Sequence, residues 1–296
     1  VNQVIIGAGV DNLLNIISGI IGIKSKIAME NPVYYEAYSL FKSLGHEIIS
    51  IPVDDKGMRT DMLPEEDSII VYVTPSHQFP LGITMPAGRR VKLMNWAYET
   101  ENRYVIEDDY DSEFRMEGRP IPSLQSMDGT GRVIYVNTFS KTVAPSLRIG
   151  YAVLPPDVGR AYRERLGFLS CPVSVPEQYI LAAFMTDGSL ARHISRMRTR
   201  CRGVRDALLA ALAASPLAER YTVSAADGGL HFLLHLRTTL SDIALCAALA
   251  ERGVRVRSLR DYYAVPPAAD THTLVISYAG LSADCVQELV RRLDTV

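Results

Sequence analysis

The chain has 296 residues, enough for two lobes, and its 48% hydrophobic and 22% charged content is that of an ordinary soluble fold. A formal net charge of −2 leaves no electrostatic footprint for nucleic acid in this segment. The apolar start is short and is broken by Gly7, Asp11 and Asn12, which argues against a signal peptide or a membrane-spanning helix. In chain order, the patterning predicts strands over 3–6, 26–29, 47–52, 69–73, 104–107, 133–138 and 149–153. Helical patterns fill the gaps, first with Leu13, Leu14, Ile16, Ile17, Ile20 and Ile21, then over 35–44 and 86–99. This alternation is the signature of a mainly parallel sheet covered on both faces, an α/β fold. A long helix follows over 189–214, bearing Arg192, Arg196, Arg198, Arg200, Arg202 and Arg205 on what reads as a solvated or interdomain face. Strands over 220–224 and 230–236, a helix over 241–252, strands over 254–258 and 273–277 and a helix over 283–293 complete a small α+β unit. The expected division is a large domain over 1–165, linking helices over 166–215 and a small C-terminal domain over 216–296.

The stretch Asn137-Thr138-Phe139-Ser140-Lys141-Thr142-Val143-Ala144-Pro145-Ser146-Leu147-Arg148 brings an amine, hydroxyls and a guanidinium close together. That is what a pyridoxal-phosphate site needs from one piece of chain. The amine forms a Schiff base with the cofactor aldehyde, hydroxyls bond the phosphate, and arginine clamps it with paired donors. Taken alone, Lys141 also reads as a solvated lysine in a Ser/Thr-rich loop. The stretch resembles the lysine motif of fold-type I pyridoxal-phosphate enzymes, the aspartate-aminotransferase superfamily. The resemblance implies Lys141 as the Schiff-base lysine and Thr138, Ser140 and Arg148 as phosphate ligands. It also implies a seven-stranded large-domain sheet.

Upstream, Val105-Ile106-Glu107-Asp108-Asp109-Tyr110-Asp111-Ser112-Glu113-Phe114-Arg115 places an acidic run at the carboxyl end of a buried strand, the rim where ligands bind in open α/β sheets. A carboxylate against the pyridine nitrogen keeps the ring protonated as an electron sink, and O3′ needs a donor. Asp108 and Tyr110 suit these jobs and match the superfamily's Asp and Tyr; a solvated acidic turn is the competing reading. The whole string is similar to the aminotransferase-like domain of MocR/GabR-family bacterial transcriptional regulators, as is Ser76-His77-Gln78-Phe79-Pro80. Aminotransferases carry Asn-Pro-x-Gly at that second loop; this chain has Phe79 there, so one O3′ donor is lost. His77 reads as a pocket wall or a capped turn residue, and the second is preferred.

Glycine before a helix start exposes backbone N–H groups to an anion, so the amides of Gly9 and Val10 are candidates for the phosphate. Tyr34 matches the aromatic that stacks on the pyridine ring. The aminotransferase pattern Leu-Arg-Leu-x-Phe, whose Arg binds the substrate carboxylate, is replaced by Leu274-Val275-Ile276-Ser277-Tyr278, so Val275 removes a bidentate contact. Glu36 would repel a carboxylate if it lay near the pocket. His231 and His235 read as structural polar residues on a strand, not metal ligands. Cys171, Cys201, Cys246 and Cys285 are scattered without metal spacing, which suits a reducing, cytoplasmic setting.

The resemblance implies an N-terminal arm and a winged helix-turn-helix before Val1, through which alone DNA would be bound. It also implies a homodimer completing the cofactor site. The expected function is effector sensing in a MocR/GabR-type regulator, with pyridoxal phosphate itself, an amine or an amino acid as the effector. A working aminotransferase is the alternative, and a scaffold that has lost the cofactor is the third reading.

Overall fold

A computed structural model describes residues 2–22, 25–116 and 121–294. The expected outer limits Val1 and Val296 lie outside these residues. Seven strands of the large sheet arise where they were expected: β1 (Val4–Gly7), β2 (Lys26–Asn31), β3 (Glu47–Asp54), then, after a two-residue β4 (Gly57–Met58), β5 (Ile69–Val73), β6 (Tyr104–Asp108), β7 (Val133–Thr138) and β8 (Gly150–Val153). The sheet order is β1-β8-β7-β6-β5-β2-β3-β4. Among the described residues it therefore has eight strands, not seven. The extra one is a hairpin return, Val53 opposite Met58 and Asp54 opposite Gly57, too short to give an alternating pattern. β2, β3, β5, β6 and β7 are parallel, while β8 runs antiparallel to both β7 and β1. β1 thus points the same way as the parallel strands, and the start of β8 lies at their carboxyl ends.

The central strands are apolar runs because both faces are covered. Every residue of β5 is buried. On one face α1 (Val10–Ile21) and α2 (Tyr35–Ser43) pack Leu13, Leu14, Ile17 and Phe41 against Ile27, Tyr72 and Ile134. On the other, α3 (Ala87–Tyr98) and α4 (Leu124–Met127) bring Leu93, Trp96 and Leu124 onto Val71, Val105 and Val133. Between these layers Arg90 is fully buried and donates to the carbonyls of Met85 (3.0 Å), Pro122 (3.0 Å) and Pro75 (2.8 Å). Glu107, 3.6 Å from Arg90, accepts from the amides of Leu124 (2.8 Å) and Gln125 (2.9 Å) at the start of α4. These bonds anchor the loop that leaves β5, the loop on which part of the site is built.

α5 (Pro156–Leu166), which the patterning did not delimit, packs on α1 through Val158, Ala161, Tyr162 and Leu166. α6 (Val175–Thr186) and the 25-residue α7 (Ser189–Ala213) follow. Arg198 and Arg202 of α7 donate to the carbonyls of Glu113 and Met116, and Arg205 to that of Ala226, so part of the basic stripe faces other elements of the chain. The second sheet contains β9 (Tyr221–Ser224), β10 (His231–Leu236), β11 (Arg257–Ser258) and β12 (Thr273–Ser277), in the order β11-β12-β10-β9. α8 (Asp242–Glu251), α9 (Val286–Leu293) and α7 cover it, around Phe232, Leu208, Leu245, Leu274 and Val290. Among the described residues no helix is long and apolar enough to cross a membrane.

Candidate functional site

The carboxyl ends of the large sheet converge on one cavity of about 260 Å³. Val10 comes from the start of α1, Tyr34 from the loop after β2, and Thr74 and Phe79 from the loop after β5. Asp108 comes from the end of β6, Tyr110 from the loop after it, Thr138 from the end of β7, and Ser140, Lys141, Pro145 and Arg148 from the turn between β7 and β8. Eight of the nine residues selected from the sequence line this single space. The ninth, Gly9, lies just behind it. Its φ is +87°, a backbone conformation that favours glycine, and a Cβ there would stand 2.6 Å from Arg148 Nη2.

The charges are placed by sheet edges and turns. Lys141 and Arg148 are both exposed. Lys141 makes no hydrogen bond or ion pair among the described residues, while Arg148 Nη2 lies 3.2 Å from Asp11 Oδ2 in the first turn of α1. An anion arriving at α1 would meet both the guanidinium and the amino end of the helix. Asp108 is buried. Its Oδ2 accepts the Tyr72 hydroxyl at 2.5 Å, and its Oδ1 has no hydrogen-bond partner. Burial pushes the Asp108 carboxyl up to about 7, Asp109, Asp111 and Asp11 add to this, and only the Tyr72 bond works against it. Burial likewise pushes Glu30 up to about 7; its Oε2 accepts from the hydroxyl (3.0 Å) and amide (3.3 Å) of Thr74. Phe79 stands edge-on to Tyr34 (5.8 Å between centroids), to Tyr110 (6.0 Å) and to Tyr262 (5.2 Å), forming an aromatic wall.

Four side chains behave otherwise than the residue string suggests. His77 is not a simple turn residue. Its ring is buried between Tyr110 and Asp111, with Nδ1 at 3.0 Å and 2.9 Å from their oxygens. Glu36 does not line the cavity and forms an ion pair with Arg257 at 3.3 Å. Tyr72, which no motif singles out, pins Asp108; the available signal was a tyrosine in an otherwise aliphatic buried strand, whose hydroxyl needs a partner. Thr74 joins Glu30 to the Phe79 amide (3.1 Å), so it shapes the β5 loop. Val275 lies in an apolar cluster with Leu233 and Tyr262, against Phe79. His231 Nε2 donates to the Pro80 carbonyl (2.8 Å), and burial, then His77, lowers this imidazole to about 4. Among the described residues no group of three His, Cys, Asp or Glu could hold a metal ion.

The profile of the family described as aminotransferase class I and II matches residues 1–293. The chain belongs to this family. It is 38% identical over 292 residues to the uncharacterized HTH-type transcriptional regulator YdeL of Bacillus subtilis (strain 168), covering 98% of this chain and 62% of the relative. It is 33% identical to the probable rhizopine catabolism regulatory protein MocR of Rhizobium meliloti, covering 98% and 58%. The chain therefore spans about three fifths of these relatives' length. Among solved structures, LysN, an alpha-aminoadipate aminotransferase from Thermus thermophilus complexed with N-(5'-phosphopyridoxyl)-L-leucine, matches with a TM-score of 0.85 at 26% identity, covering 99% of this chain and 76% of that one. These matches agree with the fold-type I architecture expected from the lysine and acidic motifs.

The residues fit pyridoxal phosphate chemically. The cavity offers one amine, one guanidinium, two hydroxyls and a helix start on one side. On the other it offers a buried carboxylate oxygen without a partner.

Proposed function

We propose that this chain is the effector-sensing domain of a MocR/GabR-type transcriptional regulator and binds pyridoxal 5'-phosphate in the cavity that holds Lys141. The observation that carries this reading is the partnerless buried Oδ1 of Asp108 in the same space as Lys141 and Arg148. When bound, the cofactor supplies an aldehyde that amines can exchange onto and a pyridinium that withdraws electrons. In this reading Lys141 would hold the cofactor covalently through Nζ, the attachment that an incoming amine would exchange. Arg148, Ser140, Thr138 and the amides of Gly9 and Val10 bind the phosphate. Asp108 accepts the ring N–H at Oδ1, with Tyr72 fixing the carboxylate's other oxygen. Tyr110 donates to the ring oxygen, alone because Phe79 offers no donor. Tyr34 stacks on the ring.

Sensing is favoured over turnover by Val275. Turnover needs the amino acid carboxylate held so that the breaking bond stands perpendicular to the ring, and Val275 is packed among apolar side chains. A missing charged contact of about 1.5–3 kcal/mol corresponds to a rate loss of roughly tenfold to a hundredfold. The test is a spectral titration with L- and D-amino acids, ω-amino acids and simple amines, followed by assay for oxo-acid product. Spectral change without sustained product formation is expected. Multiple turnovers with an α-amino acid and an oxo-acid acceptor would favour the aminotransferase instead.

The same reading makes the protein a cytoplasmic homodimer whose DNA contact lies outside this chain. Support for the dimer comes from apolar side chains left in solvent around α6: Phe168 (80% exposed), Val175 (62%), Tyr179 (74%) and Ile180 (69%). Sedimentation should give a two-fold dimer when cofactor is bound; a monomer at high concentration in that state rules it out.

A further inference from the structure

Behind Tyr110 lies a buried imidazole–carboxylate pair. His77 and Asp111 are both buried, one from the loop after β5 and the other from the loop after β6. Asp111 Oδ2 lies 2.9 Å from His77 Nδ1, and the Tyr110 hydroxyl oxygen lies 3.0 Å from the same nitrogen. A carboxylate only accepts, so the Nδ1 proton belongs to the imidazole and is shared between Asp111 and the phenol oxygen. The Tyr110 O–H in turn donates to the backbone carbonyl of His77 at 3.0 Å. Burial, then Asp111 and Asp108, hold the Tyr110 phenol well above its ordinary range, so it remains a donor.

The surroundings are cut to the imidazole. A Cβ at Gly229 (φ +71°) would stand 2.0 Å from His77 Cε1 and 2.8 Å from Asp111 Oδ2. At Gly82 (φ +69°) it would stand 3.2 Å from His77 Nε2. Any other residue at Gly229 would displace the ring. The other ionisable groups acting on this pair and the phenol are Asp108, Glu30, Glu113, Tyr278 and His231, whose ring centroid is 5.0 Å from that of His77. A separate cavity of about 350 Å³ on the far side adds Arg115 and Asp227.

We infer that His77 and Asp111 are positioning residues for Tyr110, directing the imidazole N–H onto the phenol oxygen so that its O–H is aimed and strengthened as a donor into the Lys141 cavity. The donor has two places to go, the His77 carbonyl or a ligand oxygen, and the imidazole bond persists in both. Chains of hydrogen bonds polarise one another, so the phenol donates more strongly when its oxygen also accepts. This rests on the cofactor reading above, because the ligand oxygen is the ring oxygen of pyridoxal phosphate.

The experiment is a pH titration of the visible absorbance of the chain reconstituted with pyridoxal phosphate, with borohydride labelling of Lys141 run alongside. A donor to the ring oxygen favours its deprotonated form, so losing that donor raises the titration midpoint. Tyr110→Phe should raise it by about one pH unit, equivalent to about tenfold in proton affinity. His77→Leu should raise it by at least half as much. His77→Asn, whose side-chain N–H occupies the place of Nδ1–H, should return it towards the wild-type value, which a merely structural role does not predict. His77→Leu should add nothing when Tyr110 is already Phe. Asp111→Asn carries the same test if His77→Leu does not fold. A midpoint unmoved by His77→Leu or Asp111→Asn in a chain that still labels at Lys141 overturns the inference. So does an equal shift with or without the Tyr110 hydroxyl. No label at Lys141 in the wild-type chain defeats the cofactor reading itself, and this one with it.

Discussion

The Lys141→Ala chain is expected to take no pyridoxyl label after reduction with borohydride, while the unaltered chain carries it on the peptide containing Lys141. Reduction fixes only an amine joined covalently to the cofactor aldehyde, so the label reports the attachment point directly. Lys141 is the only lysine among the residues lining the cavity, and it makes no competing hydrogen bond or ion pair among the described residues. Its exposed position beside Arg148 leaves it reachable from solvent. Noncovalent binding should survive at reduced strength, because Arg148, Ser140, Thr138 and the start of α1 remain, each charged contact contributing about 1.5–3 kcal/mol. An absorbance titration of the variant should therefore show weak, salt-sensitive binding, further weakened in Arg148→Ala. Peptide mapping decides the matter: label on another lysine, or none in the unaltered chain with cofactor added, refutes the assignment.

Much of this arrangement was legible because the fold advertises it locally. Strands such as Ile69–Val73 are apolar runs buried on both faces, and that demands helices on both sides of a parallel sheet. Once the sheet is parallel, the residues directly after each strand share one rim, so Asp108, Tyr110, Thr138, Ser140 and Lys141 meet without any further information. What could not be read were pairings made across the chain by side chains. Tyr72 reaches Asp108 over 36 residues, and Arg257 meets Glu36 over 221. The first depends on two neighbouring parallel strands being in register, the second on how β11 lies against α2. No residue pattern encodes either. His77 escapes a local reading for the same reason: its role depends on Asp111, a residue of another loop, and on Gly229, which belongs to the second sheet's approach. The two-residue β4 escapes it because period-two alternation needs more than two positions to be seen.

Asp108→Asn should act in two opposite directions, and the pH dependence separates them. In the cofactor-free chain burial raises Asp108 to about 7, and Glu30 and Glu107 are raised to about 7 for the same reason. Unfolded, such carboxyls lose their protons near pH 4. Between about pH 4 and pH 7 the folded chain therefore holds protons that the unfolded chain has already released. Stability is accordingly greatest below that window, falls as pH rises through it and levels off above it. Replacing Asp108 by Asn removes its share of that slope. Above pH 7 it also removes a buried charge, which should stabilise the cofactor-free chain by about 1–2 kcal/mol, a rise of about 2–8 °C in Tm. The cofactor sees the reverse. Asn cannot supply a charge at Oδ1 for the ring N–H, so affinity should fall roughly tenfold to a hundredfold through the lost charged hydrogen bond. Thermal melts of both chains at pH 5, 6, 7 and 8, with and without pyridoxal phosphate, measure both quantities. An unchanged slope with unchanged cofactor affinity would mean that Asp108 neither titrates in this window nor faces the ring. A chain that instead becomes more stable when empty and less able to bind is what a carboxylate kept for its ligand, at the expense of the empty fold, should give.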